Sequence, residues 1–345
     1  MTKKMSLKVT LFPRVLSLSK AGYIPDYVNA INQSGNMEVV NPPHKNPLLN
    51  ILSPQYWGDV FIFNWPENIP DARFGKIQTL LFFGLIGILK LRKKKIIWMF
   101  HNKMSHNKSH PFTKSLIMKA MARASTLIVA HAQEGAALVK ASYPHAGKKT
   151  HFLDHPTKSR LEYMPAHINK VYDLLIWGGI SEYKGVLQFV QYIREKQTTN
   201  LKVCIIGKCS PPSLRERLRE ALPQNVTYID ERPSFEELAS YMARSRFVLC
   251  TYQSESVLSS MMLMDSLSYG CKIIGPDTGS FKDYSHEPRL KVYTFDGFPD
   301  IEGIVERHKD DTAVKEDYKD FLTEKDWPHF IRRLSRLIAS PSASE

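Results

Sequence analysis

Apolar residues along the 345-residue chain fall into short unbroken runs, separated by longer segments in which they recur every three to four positions. The unbroken runs predict strands at Lys8–Phe12, Val60–Trp65, Ile96–His101 and Thr126–Ala130 in the first half. In the second half they predict strands at Asp173–Trp177, Lys202–Ile206, Val226–Tyr228, Phe247–Tyr252 and Lys272–Gly275. The amphipathic segments predict helices at Pro25–Gln33, Phe74–Lys90, Phe112–Ala124 and Glu134–Ala141, then at Val186–Lys196, Ser213–Leu222, Ser234–Ala243 and Leu258–Tyr269. Strands that are apolar throughout and alternate with single helices imply parallel sheets wound by right-handed crossovers. Each half therefore reads as an α/β, Rossmann-like layer structure. The aperiodic stretch Asp154–Lys170, with Pro156 and Pro165, divides them, giving expected domains at 1–165 and 172–325. A last amphipathic helix at 326–340 is expected to pack back on the first domain.

Composition adds that both halves can build real cores, since 43% of residues are hydrophobic and only 23% charged. That excludes a disordered tail, a collagen-like repeat and a disulfide-stapled miniature. Charge then separates the halves. Residues 1–170 carry 24 Lys and Arg against 8 Asp and Glu, a net +16, whereas residues 171–345 carry 23 against 26, a net −3. The basic half is expected to meet an anionic partner. Cys204, Cys209, Cys250 and Cys271 lack metal-site spacing, and three of them sit inside apolar runs, which reads as buried thiols in a reducing compartment. With no secretory pattern at the start, a cytoplasmic location is expected.

The longest apolar stretch, Ile77–Leu89, runs directly into Lys90, Arg92, Lys93, Lys94 and Lys95. Its 13 residues reach about 20 Å as a helix, short of a ~30 Å hydrocarbon core. Two readings fit: a helix lying on an anionic membrane surface, and a buried layer helix whose C-terminus carries a solvated lysine cluster. The second basic helix at Thr113–Arg123 favours the membrane surface, with contact through Ile77–Lys95.

Candidate chemistry concentrates in the near-neutral half. In Ile176-Trp177-Gly178-Gly179-Ile180-Ser181-Glu182-Tyr183-Lys184-Gly185 a strand ends in two glycines and a Lys-Gly pair opens a helix. Gly178 and Gly179 allow close backbone approach, and Lys184 supplies a point charge where a diphosphate can sit. Alone, this also fits an ordinary strand-to-helix turn. Further on, Tyr252-Gln253-Ser254-Glu255-Ser256-Val257-Leu258-Ser259-Ser260 leads into a helix whose Ser259 and Ser260 hydroxyls and free N–H groups form a second anion site or a plain N-cap. Asp265 follows, placed to accept hydrogen bonds from a hydroxylated ligand.

Together, GGISEYKG and SESVLSSMMLMDSLSYGCKIIGPDTG resemble the donor half of GT-B glycosyltransferases, in particular glycosyltransferase family 4, the group 1 enzymes of bacterial surface polysaccharide synthesis. The resemblance covers most of residues 172–285. It implies two Rossmann-like domains facing across a cleft, with a C-terminal helix crossing back. It implies that Lys184 contacts a donor diphosphate, that Asp265 holds the nucleotide ribose as the second acid of an E-x7-E segment, and that Glu231 lies beside the nucleobase. The first acid of that segment falls on Val257, so Glu255, two residues earlier, is its candidate replacement next to the transferred sugar, with Ser256 beside it. The arginine that often precedes the lysine turn is Gly179 here.

In the first half, Ile97-Trp98-Met99-Phe100-His101-Asn102 resembles the His-Asn strand end that faces the donor sugar in these enzymes, which makes His101 and Asn102 catalytic candidates. Phe63-Asn64-Trp65-Pro66-Glu67 resembles an acceptor-side segment, with Trp65 and Glu67 as its candidates. His101, His106 and His110 lie close in sequence, but no carboxylate or cysteine accompanies them in a standard metal spacing, so no metal site is expected. The family implies no cofactor, since the UDP or GDP sugar is a substrate.

The expected function is transfer of a sugar from a nucleotide diphosphate sugar to a glycan or lipid-linked acceptor. The resemblance implies retention of configuration; an inverting enzyme would need Glu67 or His101 as base. The rival class is a non-catalytic basic protein that binds nucleic acid or a membrane surface. No recognition-helix, aromatic RNA-binding or zinc pattern supports a nucleic-acid partner.

Overall fold

The computed structural model describes residues 6–16, 22–103, 109–166, 168–196, 200–253 and 257–340. The chain forms two units, 1–155 with 327–345 and 156–326. The division falls at His155/Pro156, ten residues before the expected limit of 165, because the segment after Pro156 is bonded into the second unit: the Thr157 N–H donates to the Lys325 carbonyl and the Arg160 N–H to that of Ser268.

The first unit is built from β1 (Leu7–Phe12), α1 (Tyr23–Gln33), β2 (Met37–Val39), α2 (Pro47–Leu52), β3 (Val60–Asn64), α3 (Gly75–Leu91), β4 (Lys95–Phe100), α4 (Pro111–Ala124), β5 (Leu127–Ala130), α5 (Gln133–Ser142) and β6 (Thr150–Phe152). Its six strands are all parallel, in the order β2-β1-β3-β4-β5-β6. Every residue of β3 is buried, as a strand covered by helices on both faces requires.

The second unit contains β7 (Tyr172–Trp177), α6 (Val186–Lys196), β8 (Val203–Ile206), α7 (Pro212–Ala221), β9 (Val226–Ile229), α8 (Phe235–Ala243), β10 (Ser245–Leu249), α9 (Met261–Ser268), β11 (Ile273–Pro276), α10 (Gly279–Ser285), β12 (Val292–Phe295), α11 (Asp300–His308) and α12 (Lys315–Glu324). Its sheet is also parallel, ordered β12-β11-β10-β7-β8-β9, so the strand order reverses beside β7, at the switch point where such sheets bind ligands. The start of α8 is fixed by a capping box: Ser234 Oγ accepts from the Glu237 N–H and the Glu237 carboxylate from the Ser234 N–H.

The final helix, α13 (Trp327–Ala339), belongs to the first unit. Its apolar stripe, Trp327, Phe330, Ile331, Leu334 and Ile338, is buried, and Trp327 and Phe330 meet Tyr27 of α1 at ring distances of 5.4 and 5.6 Å.

Helix α3 is buried along one side and exposed along the other. Phe82, Leu85, Ile86 and Leu89 are buried, while Ile77, Leu80, Ile88 and Leu91 are 46–84% exposed. No helix among the described residues is long and apolar enough to cross a membrane. The four cysteines are buried and unpaired.

Candidate functional site

In the second unit, β7 delivers the chain to Gly178 in the left-handed region, at φ 88°. A single 3₁₀ turn, Glu182–Lys184, follows, and Gly185 (φ 71°) opens α6. A Cβ on Gly185 would lie 2.2 Å from the Thr251 carbonyl oxygen, so only glycine fits there. Thr251 Oγ1 in turn donates to the Lys184 carbonyl at 2.6 Å, tying the lysine turn to the residues after β10. Lys184 Nζ lies 3.8 Å from where a Gly178 Cβ would stand and 5.9 Å from the Tyr252 ring centre. Burial pulls its pKa below the ordinary lysine range, while nearby Cys250 acts the other way. Among the described residues no carboxylate pairs with it, so the turn presents a desolvated cation without a counter-ion.

Ser260 and Ser259 divide their labour. Ser260 Oγ caps α9 by accepting from the Leu263 N–H at 3.3 Å and lies 3.2 Å from the Tyr252 hydroxyl, so this helix starts at Met261 rather than at the expected Leu258. Of the two roles expected for its hydroxyl, anion site and N-cap, the structure shows the N-cap. Ser259 is half-buried, with a hydroxyl that has no partner among the described residues. Glu255 and Ser256 lie outside the described residues. Glu231 is exposed after β9 and pairs with no described residue.

Asp265 does not stand open to a ligand on all sides. Its Oδ1 accepts from Arg160 Nη1 at 3.0 Å, and the same nitrogen donates to Ser268 Oγ at 2.8 Å. Arg160 is buried, its guanidinium 4.4 Å above the Phe235 ring. The expected ribose carboxylate thus comes pre-oriented by an arginine that the sequence reading missed.

The first unit brings Trp65, Glu67, His101 and Asn102 into one cluster at the C-terminal ends of β3 and β4. Trp65 is not the end of a strand as expected: it takes a left-handed conformation at φ 50°, costly for a bulky side chain, and its ring stacks on His101 at 4.4 Å. Asn64 Nδ2 donates to the Phe12 carbonyl at 3.1 Å, which fixes the amide so that its Oδ1 accepts from His101 Nε2–H at 2.9 Å. Burial, with His131 and His155 adding to it, holds the His101 pKa well below the ordinary histidine range. His101 is therefore neutral, with Nδ1 as a free acceptor among the described residues. Glu67 is buried and hydrogen-bonded to Asn102; burial raises its pKa to about 7 against the opposing pull of its backbone hydrogen bond, Lys114 and Asn102. Lys114 itself is paired with Asp71 at 2.7 Å.

Behind this cluster stand Tyr23, His131 and His155, which sequence reasoning also missed. His131 Nδ1–H donates to the Leu153 carbonyl at 2.9 Å, so Nε2 accepts from the Tyr23 hydroxyl at 3.0 Å. Burial pulls its pKa down to about 4. The signal was available: β4 and β5 are each followed directly by a histidine, and β6 by one three residues on. Of the three histidines in the loop after β4, His106 lies outside the described residues and His110 starts α4, exposed. No metal-holding group of His, Cys, Asp and Glu occurs among the described residues.

With this geometry in hand, comparison with known proteins becomes informative. Residues 172–296 match the family model described as Glycosyl transferases group 1. The second unit is a group 1 glycosyltransferase domain. No curated protein matches the sequence. Among solved structures, this chain is similar to Anabaena Alr3699/HepE in complex with UDP-glucose, with TM-score 0.65, 12% identity, and 97% of this chain and 100% of that one covered. It is also similar to the apo form of the lipopolysaccharide outer core galactosyltransferase WaaB, at TM-score 0.63 and 14% identity over 97% and 99% of the two chains. A third is AviGT4, a glycosyltransferase involved in avilamycin A biosynthesis, at TM-score 0.57, 14% identity and 96% coverage of both. These likenesses show the fold, GT-B with two Rossmann-like domains.

Proposed function

We propose that this glycosyltransferase moves a sugar from a nucleotide diphosphate sugar, with a UDP sugar as the first donor to try, onto a glycan or lipid-linked acceptor in surface polysaccharide or glycoconjugate synthesis. The observation that carries the reading is Lys184: a half-buried ammonium without a counter-ion among the described residues, beside Gly178 and Gly179 at the switch point of a parallel sheet. A diphosphate supplies the missing negative charge, and the lysine then stabilises the charge that develops on the leaving nucleotide. HepE in its UDP-glucose complex is the neighbour that recommends uridine. Asp265, oriented by Arg160, accepts from the ribose hydroxyls. No metal is invoked, since lysine and helix end serve the diphosphate. In the first unit, the Trp65 face, the free Nδ1 of His101 and the Glu67–Asn102 pair offer the stacking surface and hydrogen bonds that a sugar requires.

Retention of configuration follows the family resemblance. A specific observation keeps inversion as the second reading: Glu67, buried with its pKa raised to about 7, is poised as a general base near neutral pH. Docking on the cytoplasmic face of an anionic membrane completes the proposal. The exposed side of α3, with Ile77, Leu80, Ile88 and Leu91, ends in Lys90, Arg92, Lys93 and Lys94, and Phe112 of α4 is 75% exposed.

The test is calorimetry with UDP and a panel of UDP and GDP sugars on wild-type and Lys184→Ala protein, followed by NMR of the anomeric proton in the product. Nucleotide binding lost in the variant supports the reading. Wild-type protein that binds no nucleotide diphosphate defeats it, and an inverted product combined with loss of turnover in Glu67→Gln selects the second reading.

A further inference from the structure

A cavity of about 430 Å³ opens in the first unit at the end of the sheet opposite Trp65 and His101, where β4, β5 and β6 begin and α13 ends. Its polar lining is Lys95, Lys148, Lys149, His151, Ser125 and Thr126, with Ser340 at the end of α13; no carboxylate contributes. Two of the lysines hold its walls. Lys95 Nζ donates to the Ile338 carbonyl at 2.5 Å, and Lys149 Nζ to those of Ser125 and Arg123 at 2.7 and 3.2 Å, which neutralises the ends of α13 and α4. The other cations are uncompensated: Lys148 and the neighbouring Lys90 and Lys140 have no acidic partner among the described residues, and His151 adds a neutral imidazole. Burial first, then Lys90, pulls the Lys149 pKa below the ordinary lysine range, and burial first, then Lys140, keeps His151 below the ordinary histidine range. Ser125 is buried, and its hydroxyl lacks any hydrogen-bond partner.

A cavity lined by lysines, with no carboxylate among its described lining residues, is unfavourable when empty of negative charge, and a tetrahedral oxyanion relieves that defect. We propose that this cavity binds a phosphate group, as a monoester or diester, at a site separate from the donor and acceptor residues above. The apolar walls from β4, β5 and α13 suit the carbon skeleton attached to that phosphate. Two sources share this chemistry: a lipid headgroup, reached from the basic end of α3 through Lys90, and a soluble phosphate ester.

Hydrogen exchange across residues 144–152 reads the site locally, apart from any nucleotide bound to the second unit. The probes are inorganic phosphate, glycerol 1-phosphate and vesicles of phosphatidylglycerol in phosphatidylcholine, with pure phosphatidylcholine vesicles as the blank. Protection by the soluble esters supports a soluble source; protection by phosphatidylglycerol vesicles alone supports a headgroup. Lys148 is exposed, so Lys148→Gln should fold and keep its UDP affinity while its phosphate affinity falls about fivefold, the worth of one lysine at an anionic surface. The proposal is overturned if no probe slows exchange, or if protection persists undiminished in Lys148→Gln. Vesicle protection abolished by Leu80→Asp but intact in Lys148→Gln falls under the second outcome and assigns the effect to α3.

Discussion

The two candidate sites solve opposite problems. In the first unit, Tyr23 with His131 and Asn64 with His101 form two hydrogen-bonded pairs, each tied on to a backbone carbonyl, with their rings in contact. In the second unit, Lys184 is half-buried, partly desolvated and without a counter-ion among the described residues. A satisfied network contributes to the stability of the fold; an unsatisfied cation detracts from it and is accounted for only by something that binds. The difference separates groups that shape a surface for a neutral ligand from a group that awaits an anionic one.

Mutations can break this contrast, and the largest effect is expected where the second unit departs from its own pattern. Arg160→Met removes the guanidinium that pairs with Asp265 and Ser268 from a buried position, so it should cost about 3–5 kcal/mol of stability in urea denaturation and weaken UDP binding as well. His131→Ala orphans the Tyr23 hydroxyl and the Leu153 carbonyl and opens a cavity, a loss of about 2–4 kcal/mol with UDP affinity unchanged. Lys184→Ala should do the reverse: calorimetry finds UDP binding weaker by about 1.5–3 kcal/mol, with an unfolding midpoint equal to or above that of wild type. A fall in stability here would mean that the lysine serves the fold, and the contrast between the units would collapse.

Acid–base linkage gives a subtler check. The Glu67 carboxyl binds its proton more tightly in the folded state, so its contribution to stability is present at low pH and is lost as pH rises from its unfolded value toward 7. His131 works in the opposite sense: with its folded pKa near 4, the unfolded chain takes up the proton first, and stability falls as pH drops from about 6.5 to 4. The two slopes partly cancel. Glu67→Gln should unmask the histidine slope, making stability rise between pH 5 and 7 by about 2 kcal/mol more than in wild type. The smallest effect on folding is expected at α3, where Leu80 is 73% exposed: Leu80→Asp should shift stability by no more than about 0.5 kcal/mol, yet reduce binding to anionic vesicles in a co-sedimentation assay.

What the sequence revealed followed the strength of local signals. Helix α6 runs from Val186 to Lys196, as its spacing predicts, and the apolar cores of β3, β4, β7 and β8 lie where expected to within a residue or two. Met37–Val39 and Thr150–Phe152 escaped notice because three-residue edge strands are too short to show a period, and α10 to α12 because their polar, acid-rich faces dilute it. Lys184 was legible because its glycines are neighbours in the chain. Arg160 was not, since nothing local distinguishes it: its meaning comes from Asp265, 105 residues away. The histidines behind His101 belong between these cases, each visible as the polar residue that ends an apolar run, but only when several strands are compared.

The chain leaves the first unit at His155 and rejoins it at Trp327, and Thr157 pairs with Asp326 in a parallel bridge, so the second unit begins and ends at one place. On the ribosome this sets an order of maturation. The second unit is fully synthesised while the first still lacks α13, whose Trp327, Phe330 and Leu334 close the core around Tyr27. A chain truncated after Asp326 would therefore keep the whole second unit while leaving the first with its core unsealed around Tyr27.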